Sequence, residues 1–204
     1  MSQRDKGETP SILLCNPKYP HNVGGIVRIA SCFGVKQLWW TGDRVTLDPT
    51  KGRLPREERM KGYADVTLFA NREKPFDAFP PGTTPVGIEL VKGAQLLPRF
   101  EHPKNPIYVF GPEDGSIPQS IRKFCHSFVA IPTYHCLNLS NAVSLVLYDR
   151  LLKQMESGEV QGWTMDDFLK EQRGWYDNTD PACGIEGLQG DEVTKFQSVG
   201  SAKK

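Results

Sequence analysis

The sequence predicts an α/β domain with a mainly parallel sheet and helices on both faces. Six short apolar runs carry this prediction, because they are continuous and do not alternate with polar residues, as in strands buried on both faces. Helical patterns separate several of these runs, and strands that alternate with helices are typical of parallel sheets. The six predicted strands occupy residues 12–15, 37–40, 66–69, 86–90, 107–110 and 128–131.

Three helices are predicted between and after these strands. The first covers about residues 22–33, with Asn22 as a good N-cap and Gly34 as its stop. A short second helix covers about residues 118–124, and the longest covers about residues 140–157. Apolar faces at helical spacing carry Ile26, Ile29, Ala30 and Phe33 in the first helix and Val143, Leu147 and Leu151 in the third.

The chain divides by charge into a basic body and an acidic end. Residues 1–155 carry 20 Lys and Arg against 14 Asp and Glu, whereas residues 156–204 carry 5 against 10. A basic body suits a polyanionic partner, although two ordinary solvated surfaces explain the same numbers. The predicted organisation is a flexible N-terminus at residues 1–10, one domain at 11–157, and an acidic extension at 158–204. The extension is expected to form one short helix capped by Thr164 and to be loosely ordered from about residue 177.

The composition narrows the class of protein. A hydrophobic fraction of 38% fits a folded globular chain, and no stretch has the apolar length needed to cross a bilayer. The first residues lack the apolar segment of a secretory signal. Five cysteines are scattered without a CxxC pair, so no disulfide framework is predicted and a reducing cytoplasm is the expected location. No metal-ligand spacing accompanies His135, so no metal site is predicted there.

Three predicted strands end in polar or glycine-rich segments, where an open parallel sheet binds its ligands. These segments are NPKYPHNVGG after the first strand, GPEDGSIP after the fifth, and PTYHCLNLSN after the sixth. Each has an ordinary explanation when taken alone. GPEDG suits a simple strand-to-helix turn, Asn138 suits an N-cap, and Arg28 suits a surface arginine that extends over an apolar helix.

In combination, the three segments match the ordered motifs of one family. Residues 22–34 fit the pattern NxGxxxRxAxxFG, and residues 111–118 contain a GxExxG loop. Residues 131–149 contain an IP pair, an SLNxS-type turn and a helix with a Tyr-acidic pair. Over about residues 11–153, the chain therefore resembles the SpoU (TrmH-like) branch of the SPOUT methyltransferases.

This resemblance implies a SPOUT-type α/β trefoil knot, a homodimer that packs through its knot helices, and an active site shaped by both subunits. It further implies methyl transfer from S-adenosyl-L-methionine to a ribose 2′-hydroxyl in RNA. The arginine of the first motif, here Arg28, is expected closest to the hydroxyl, where it orients the group, stabilises charge and mediates proton loss. Asn22, Glu113 and Asn138 complete the implied catalytic set. The implied cofactor-binding residues are Glu89, Leu90, Gly111, Gly115, Ile131, Cys136, Leu139 and Ser140; many relatives have serine in place of Cys136.

A basic stretch after the second strand is the main candidate for RNA contact. It contains Lys51, Arg53, Arg56, Arg59 and Lys61, followed by Tyr63. Basic side chains beside an aromatic ring suit phosphate contact and base stacking, although a helix face with Glu–Lys pairs is the alternative. In the first loop, Lys18 is a further RNA-binding candidate, as are Tyr19 and His21.

The compact layout favours tRNA as the substrate, with rRNA as the alternative in the same family. Two other classes remain open from the residues alone. The first is an RNA-binding knot without catalysis, which would not need all four residues of the catalytic set. The second is a nucleotide-dependent enzyme that uses GPEDG as a phosphate loop, against which the chain lacks GxGxxG and a Walker-type lysine.

Overall fold

The computed structural model describes residues 9–48, 53–54, 63–79 and 81–160. All of these belong to the first of two units, which divide after Val160. Four predicted RNA-binding residues lie outside the described residues, as do most of the predicted acidic extension and the first eight residues of the predicted flexible N-terminus. The four are Lys51, Arg56, Arg59 and Lys61.

In the described part of the chain, seven strands form one sheet in which every pair is parallel. The strand order is β3-β2-β1-β6-β4-β7-β5. Six strands match the predicted runs within two residues; the sequence pattern missed β5 because two residues are too few to show a period. The strands are β1 Ser11–Leu14, β2 Gln37–Trp40, β3 Thr67–Phe69, β4 Thr84–Ile88, β5 Gln95–Leu96, β6 Pro106–Phe110 and β7 Ser127–Ala130.

Among the described residues, three α-helices and three single 3₁₀ turns connect and cover the strands. The helices are α1 Pro20–Cys32, α2 Gln119–Arg122 and α3 Leu139–Glu156. The 3₁₀ turns are Tyr63–Asp65, Pro75–Ala78 and Leu97–Arg99.

The prediction that Asn22 caps the first helix is wrong. Helix α1 begins at Pro20 with Tyr19 at the N-cap, so Asn22 lies inside its first turn. Proline is favoured at this position because its fixed φ suits a helix and its missing N–H needs no partner there. The side chain of Asn22 is therefore free for a contact outside the helix. Asn138, in contrast, does cap α3, because its side-chain oxygen accepts the Ser140 backbone N–H at 2.9 Å.

Alternate side chains of the central strands enter two separate cores. Ile12 and Leu14 of β1 pack with α1 and α3 on one face, while Leu13 and the adjoining Cys15 enter the core on the other face. Because both faces are covered, the strands read as continuous apolar runs. The prediction of a mainly parallel sheet with helices on both faces is confirmed. The trefoil knot stays a prediction, because strand order alone does not test threading.

A buried polar network fastens the second half of α3 to the segment before β6. The His102 side chain is 4% exposed; its Nε2 lies 2.8 Å from Asp149 Oδ2, and its Nδ1 lies 2.6 Å from the Tyr108 hydroxyl. A neutral ring with the proton on Nε2 satisfies both partners. Lys153 Nζ donates to Asp149 Oδ2 at 2.6 Å and to two backbone carbonyls, those of Leu97 and Phe100.

This network lies beside a cleft of about 620 Å³, which is lined in part by His102, Arg150 and Lys153. The three ammonium hydrogens of Lys153 are all used internally. The Arg150 guanidinium donates to the carbonyls of Pro103 and Lys104 at 2.7 and 3.0 Å. His102, Arg150 and Lys153 are therefore engaged in contacts that hold the fold together.

His102 gives the fold a predictable response to acid. Burial lowers the pKa of His102 below its usual 6.5, although the Asp149 carboxylate opposes this shift. Below pH 6.5 the unfolded chain binds a proton that the folded chain resists, so stability is expected to fall as the pH drops from about 7 to about 5. His102→Gln is expected to flatten this slope in thermal unfolding curves.

The matched control for that experiment is His126→Gln, because His126 is exposed. This variant should keep the wild-type slope of melting temperature against pH. An unchanged slope in His102→Gln would contradict the assignment of the acid response to His102.

Candidate active site at the carboxyl ends of the strands

The polar segments that follow β1, β6 and β7 converge on one cleft of about 490 Å³. Its position at the carboxyl ends of parallel strands is where α/β folds bind ligands, and its size is that of a small-molecule site. Three of the four predicted catalytic residues line it, as do five of the eight predicted cofactor residues. These are Asn22, Glu113 and Asn138 in the first group, and Glu89, Gly111, Gly115, Cys136 and Leu139 in the second.

One chain of hydrogen bonds links the three motifs. The Asn22 side-chain Nδ2 donates to Glu113 Oε1 at 2.7 Å. The Asn138 Nδ2 donates to Asn22 Oδ1 at 2.9 Å. The backbone N–H and the hydroxyl of Ser140 donate to Asn138 Oδ1 at 2.9 and 2.6 Å. Residues that lie 91 and 116 positions apart are thereby held as one unit.

The carboxylate at one end of this chain fixes the orientation of both amides. An ionised carboxylate only accepts hydrogen bonds, so Asn22 must turn its NH₂ group toward Glu113. The Asn22 carbonyl then has to accept from Asn138, and the Asn138 carbonyl accepts from Ser140. Each amide nitrogen retains one N–H without a partner among the described residues. Both N–H groups belong to side chains that line the cleft.

Glu113 also holds the segment that leads into α1. Its Oε2 accepts the Lys18 backbone N–H at 2.7 Å, and its Oε1 accepts that of Tyr19 at 3.4 Å. Partial burial by itself would raise the pKa of Glu113, but the hydrogen bonds from Asn22 and the backbone outweigh it and lower the pKa below 4.5. Glu113 is therefore ionised at neutral pH, as the orientation of the amides requires.

A second carboxylate ties the neighbouring loops together. Arg44 Nη1 donates to both oxygens of Asp114 at 3.0 Å, and the same guanidinium donates through Nε to the Asn16 carbonyl at 3.1 Å. Lys18 Nζ lies 3.3 Å from Asp114 Oδ2. The hydrogen bond from Arg44 is the main reason that the pKa of Asp114 is lowered. Arg44 thus joins the segments after β1, β2 and β6.

The cleft fits S-adenosylmethionine. A Cβ at Gly111 would lie 3.0 Å from the Ile117 backbone nitrogen, which is closer than most Cβ contacts, so glycine suits the tight fold of this loop. Glu89 accepts that same Ile117 N–H at 2.9 Å and presents a carboxylate at the cleft. Carboxylates favour a positively charged sulfonium, and the apolar side chains of Phe110 and Leu137 suit the rest of the molecule.

The other predicted cofactor residues lie beside the cleft and do not line it. Leu90 is 69% exposed, and Ile131 packs against the larger core. Ser140 acts through Asn138. Arg53 is exposed, and Lys18 is exposed but paired with Asp114. Their roles in binding cofactor or RNA stay predictions.

Arg28 lies outside this cleft. It is exposed on α1 and has no hydrogen bond or ion pair with any residue that the structure describes. A Cβ at Gly25 would lie 3.5 Å from Ser140 Cβ, so that flank of α1 faces the start of α3. Arg28 follows Gly25 by three residues and lies on the same flank.

Sequence patterns missed Arg44 as a connecting residue and left His21 without a defined position in the site. Arg44 belongs to no motif, and its only signal was its place just after a predicted strand. Tyr19 and His21 both line the cleft, and their rings are stacked with centroids 5.3 Å apart.

The parallel sheet and the cleft at its carboxyl edge define an α/β fold with a cleft of the size that small molecules occupy, lined in part by the glycines of the loop after β6. The chain belongs to the SpoU rRNA methylase family, whose model matches residues 10–148. The predicted family, and with it the methyltransferase class, is confirmed.

Two relatives carry related names. The chain is 29% identical over 164 residues to the tRNA (cytidine-2′-O-)-methyltransferase TrmJ of Methanocaldococcus jannaschii. The alignment covers 72% of this chain and 69% of that protein. It is 28% identical over 149 residues to the tRNA (cytidine(34)-2′-O)-methyltransferase of Yersinia pestis. That alignment covers 68% of this chain and 90% of that protein.

Solved structures confirm the fold. The A. aeolicus TrmH/SpoU tRNA modifying enzyme aligns with a TM-score of 0.62 at 20% identity, over 80% of this chain and 85% of that one. The SpoU methyltransferase AviRb from Streptomyces viridochromogenes, solved in complex with AdoMet, aligns with a TM-score of 0.58 at 18% identity. That alignment covers 74% of this chain and 59% of AviRb. The predicted cofactor of the family, S-adenosylmethionine, agrees with this complex.

Proposed function

We propose that this protein methylates a ribose 2′-hydroxyl in tRNA. The observation that carries the proposal is the hydrogen-bond chain from Glu113 through Asn22 to Asn138 at the edge of the cleft. The names of the two relatives, both tRNA 2′-O-methyltransferases, favour tRNA over rRNA. The cytoplasmic location predicted from the cysteine pattern is part of the same proposal.

When bound, S-adenosylmethionine supplies a methyl group on a positively charged sulfur, and the reaction breaks that S–C bond, forms an O–C bond to the ribose and releases the hydroxyl proton. The protein's share is to hold the ribose in line with the methyl group. We propose that the remaining N–H groups of Asn22 and Asn138 bind the ribose oxygen, since both side chains line the cleft. Such positioning lowers the barrier most when the donors are already fixed, which Glu113 ensures.

Arg28 is proposed to orient the hydroxyl and to stabilise the negative charge that develops as the proton leaves. A guanidinium remains charged in proteins, so it suits this role better than that of a simple base. It is exposed beside α3 and does not line the cleft of its own subunit. We propose that Arg28 acts on the cleft of the partner subunit in a homodimer.

Helix α3 provides the surface for that dimer. Leu145, Tyr148, Leu152 and Met155 are 41%, 56%, 40% and 40% exposed. Their spacing of three and four residues places them on one stripe, and this repeat favours packing against a second helix. A stripe of four large apolar side chains is otherwise unfavourable on a helix surface.

Substitution of that stripe is expected to give a monomer. In the double variant Leu145→Glu with Leu152→Glu, each chain carries two added carboxylates that would repel those of the second copy. Dimer formation would also bury these carboxylates away from water. Light scattering coupled to size-exclusion chromatography should report one chain for this variant and two for the wild type. Glu156→Gln, at the exposed end of α3, is the control and should stay dimeric. A dimeric double variant would contradict the role of the stripe.

The choice of RNA is tested with labelled S-adenosylmethionine. The purified protein is incubated separately with total tRNA and with rRNA, and the label transferred to each fraction is counted. Transfer to tRNA alone is expected. Transfer to rRNA alone would replace the proposed substrate by the alternative within the family.

A further inference from the structure

An aromatic pair at the mouth of the cleft has no role in the hydrogen-bond chain. The rings of Tyr19 and His21 are stacked, with centroids 5.3 Å apart and planes inclined by 23°. Both side chains are exposed, and both line the cleft. Two exposed rings held face to face beside a ligand cleft form a surface on which a third flat group can stack.

The two rings differ in which face is free. Tyr19 is contacted by His21 and also by Lys18, whose Nζ lies 5.3 Å from the centre of the Tyr19 ring. Among the described residues, the only ring that contacts His21 is Tyr19. The face of His21 that is turned away from Tyr19 has no ring contact among the described residues, so it is the face that we assign to stacking.

The backbone around this pair is fixed by the site. The Tyr19 N–H donates to Glu113. Pro20, which separates Tyr19 from His21 in the sequence, is the first residue of α1. His21 directly precedes Asn22, which is bonded to Glu113. A shift of the pair would therefore disturb the hydrogen-bond chain, and the pair is held at a set position relative to it.

We propose that Tyr19 and His21 form a stacking platform for the base of the nucleotide whose ribose is methylated. The inference rests on the proposed function. In a nucleotide, the base is attached to the carbon next to the one that bears the 2′-hydroxyl. The residue that supports the base is therefore expected close to the residue that holds the hydroxyl. His21 directly precedes Asn22 in the chain, and both line the cleft.

The test couples a protein change to a substrate change. Wild type and His21→Ala are compared on an RNA with its normal target base and on the same RNA with an abasic target nucleotide. Loss of stacking is expected to lower kcat/KM about tenfold. In wild type, removal of the base should lower kcat/KM about tenfold. In His21→Ala, where the platform is already lost, removal of the base should lower kcat/KM less than about twofold.

Further variants separate stacking from other effects. His21→Phe keeps a flat ring and should recover most of the activity on the normal RNA and the sensitivity to the missing base. His126→Ala, which removes an exposed histidine outside the cleft, should behave as wild type. Affinity for S-adenosylmethionine, measured by calorimetry without RNA, should be equal in wild type and His21→Ala.

Three outcomes would overturn the inference. Equal costs of base removal in wild type and His21→Ala would mean that His21 does not contact the base. Weaker cofactor binding in His21→Ala would assign the platform to S-adenosylmethionine. Absence of methyl transfer by the wild type on the normal RNA would overturn the proposed function and this inference with it, whereas wild-type transfer with equal costs would overturn the inference alone.

Discussion

Glu113→Gln is expected to lower kcat by about 100-fold or more, in the range typical of a lost positioning or proton-handling group. Glutamine has nearly the shape of glutamate, but it brings an NH₂ group to a point where three N–H groups donate, from Lys18, Tyr19 and Asn22. At least one of these donors loses its acceptor. The orientation of the Asn22 amide is then no longer fixed, and neither is that of the Asn138 amide, which donates to it. Steady-state kinetics with labelled cofactor measure the loss.

The control for this variant is Glu73→Gln, which removes an exposed carboxylate away from the cleft. It should keep wild-type kcat and KM. The melting temperature and the affinity for S-adenosylmethionine are measured for both variants, so that a folding defect is recognised. If Glu113→Gln is folded and as active as wild type, the carboxylate does not orient the site.

Mixing two inactive variants is expected to restore activity. Arg28→Ala and Glu113→Gln should each be inactive alone. If Arg28 serves the partner's cleft, a dimer with one subunit of each variant has one complete site, made of Arg28 from one chain and Glu113 from the other. Random exchange makes half of the dimers mixed, so the mixture should reach about a quarter of wild-type activity. The subunits are mixed by joint refolding or by coexpression with two different tags.

The mixture also has a clear negative outcome. If Arg28 serves its own subunit, a mixed dimer contains no complete site and the mixture stays inactive. Two copies of Arg28→Ala with different tags provide the control for the exchange procedure and should remain inactive in either case. An inactive mixture in which mixed dimers are demonstrated would contradict the action of Arg28 across the dimer.

The sequence predicted the fold well where hydrophobic pattern determined it. The central strands β1, β2 and β6 place buried side chains in both cores, and their continuous apolar runs reflect this directly, whereas the edge strand β3 is only partly buried. The start of α1 was misplaced because Asn22 has the chemistry of an N-cap, whereas Pro20 begins the helix. Residue type alone does not distinguish a capping asparagine from one that bonds a carboxylate 91 residues away.

The sequence predicted which residues form the site, but not the hydrogen bonds between them. The motif order identified Asn22, Glu113 and Asn138, and these residues do share a cleft. The direction of their hydrogen bonds depends on which side-chain groups face each other, and sequence spacing carries no such information. The same reason explains the position of Arg28, which motif membership placed with the other three. Its location on an exposed flank of α1 follows from the packing of α1 on α3.

Nucleoside mass spectrometry of methylated tRNA tests the central claim most directly. The tRNA is incubated with the protein and S-adenosylmethionine that carries a heavy methyl group, and is then digested to nucleosides. The proposal predicts that the heavy methyl group is found on ribose, as a 2′-O-methylnucleoside, and that Glu113→Gln lacks this product. A heavy methyl group on a base, with none on ribose, would contradict it.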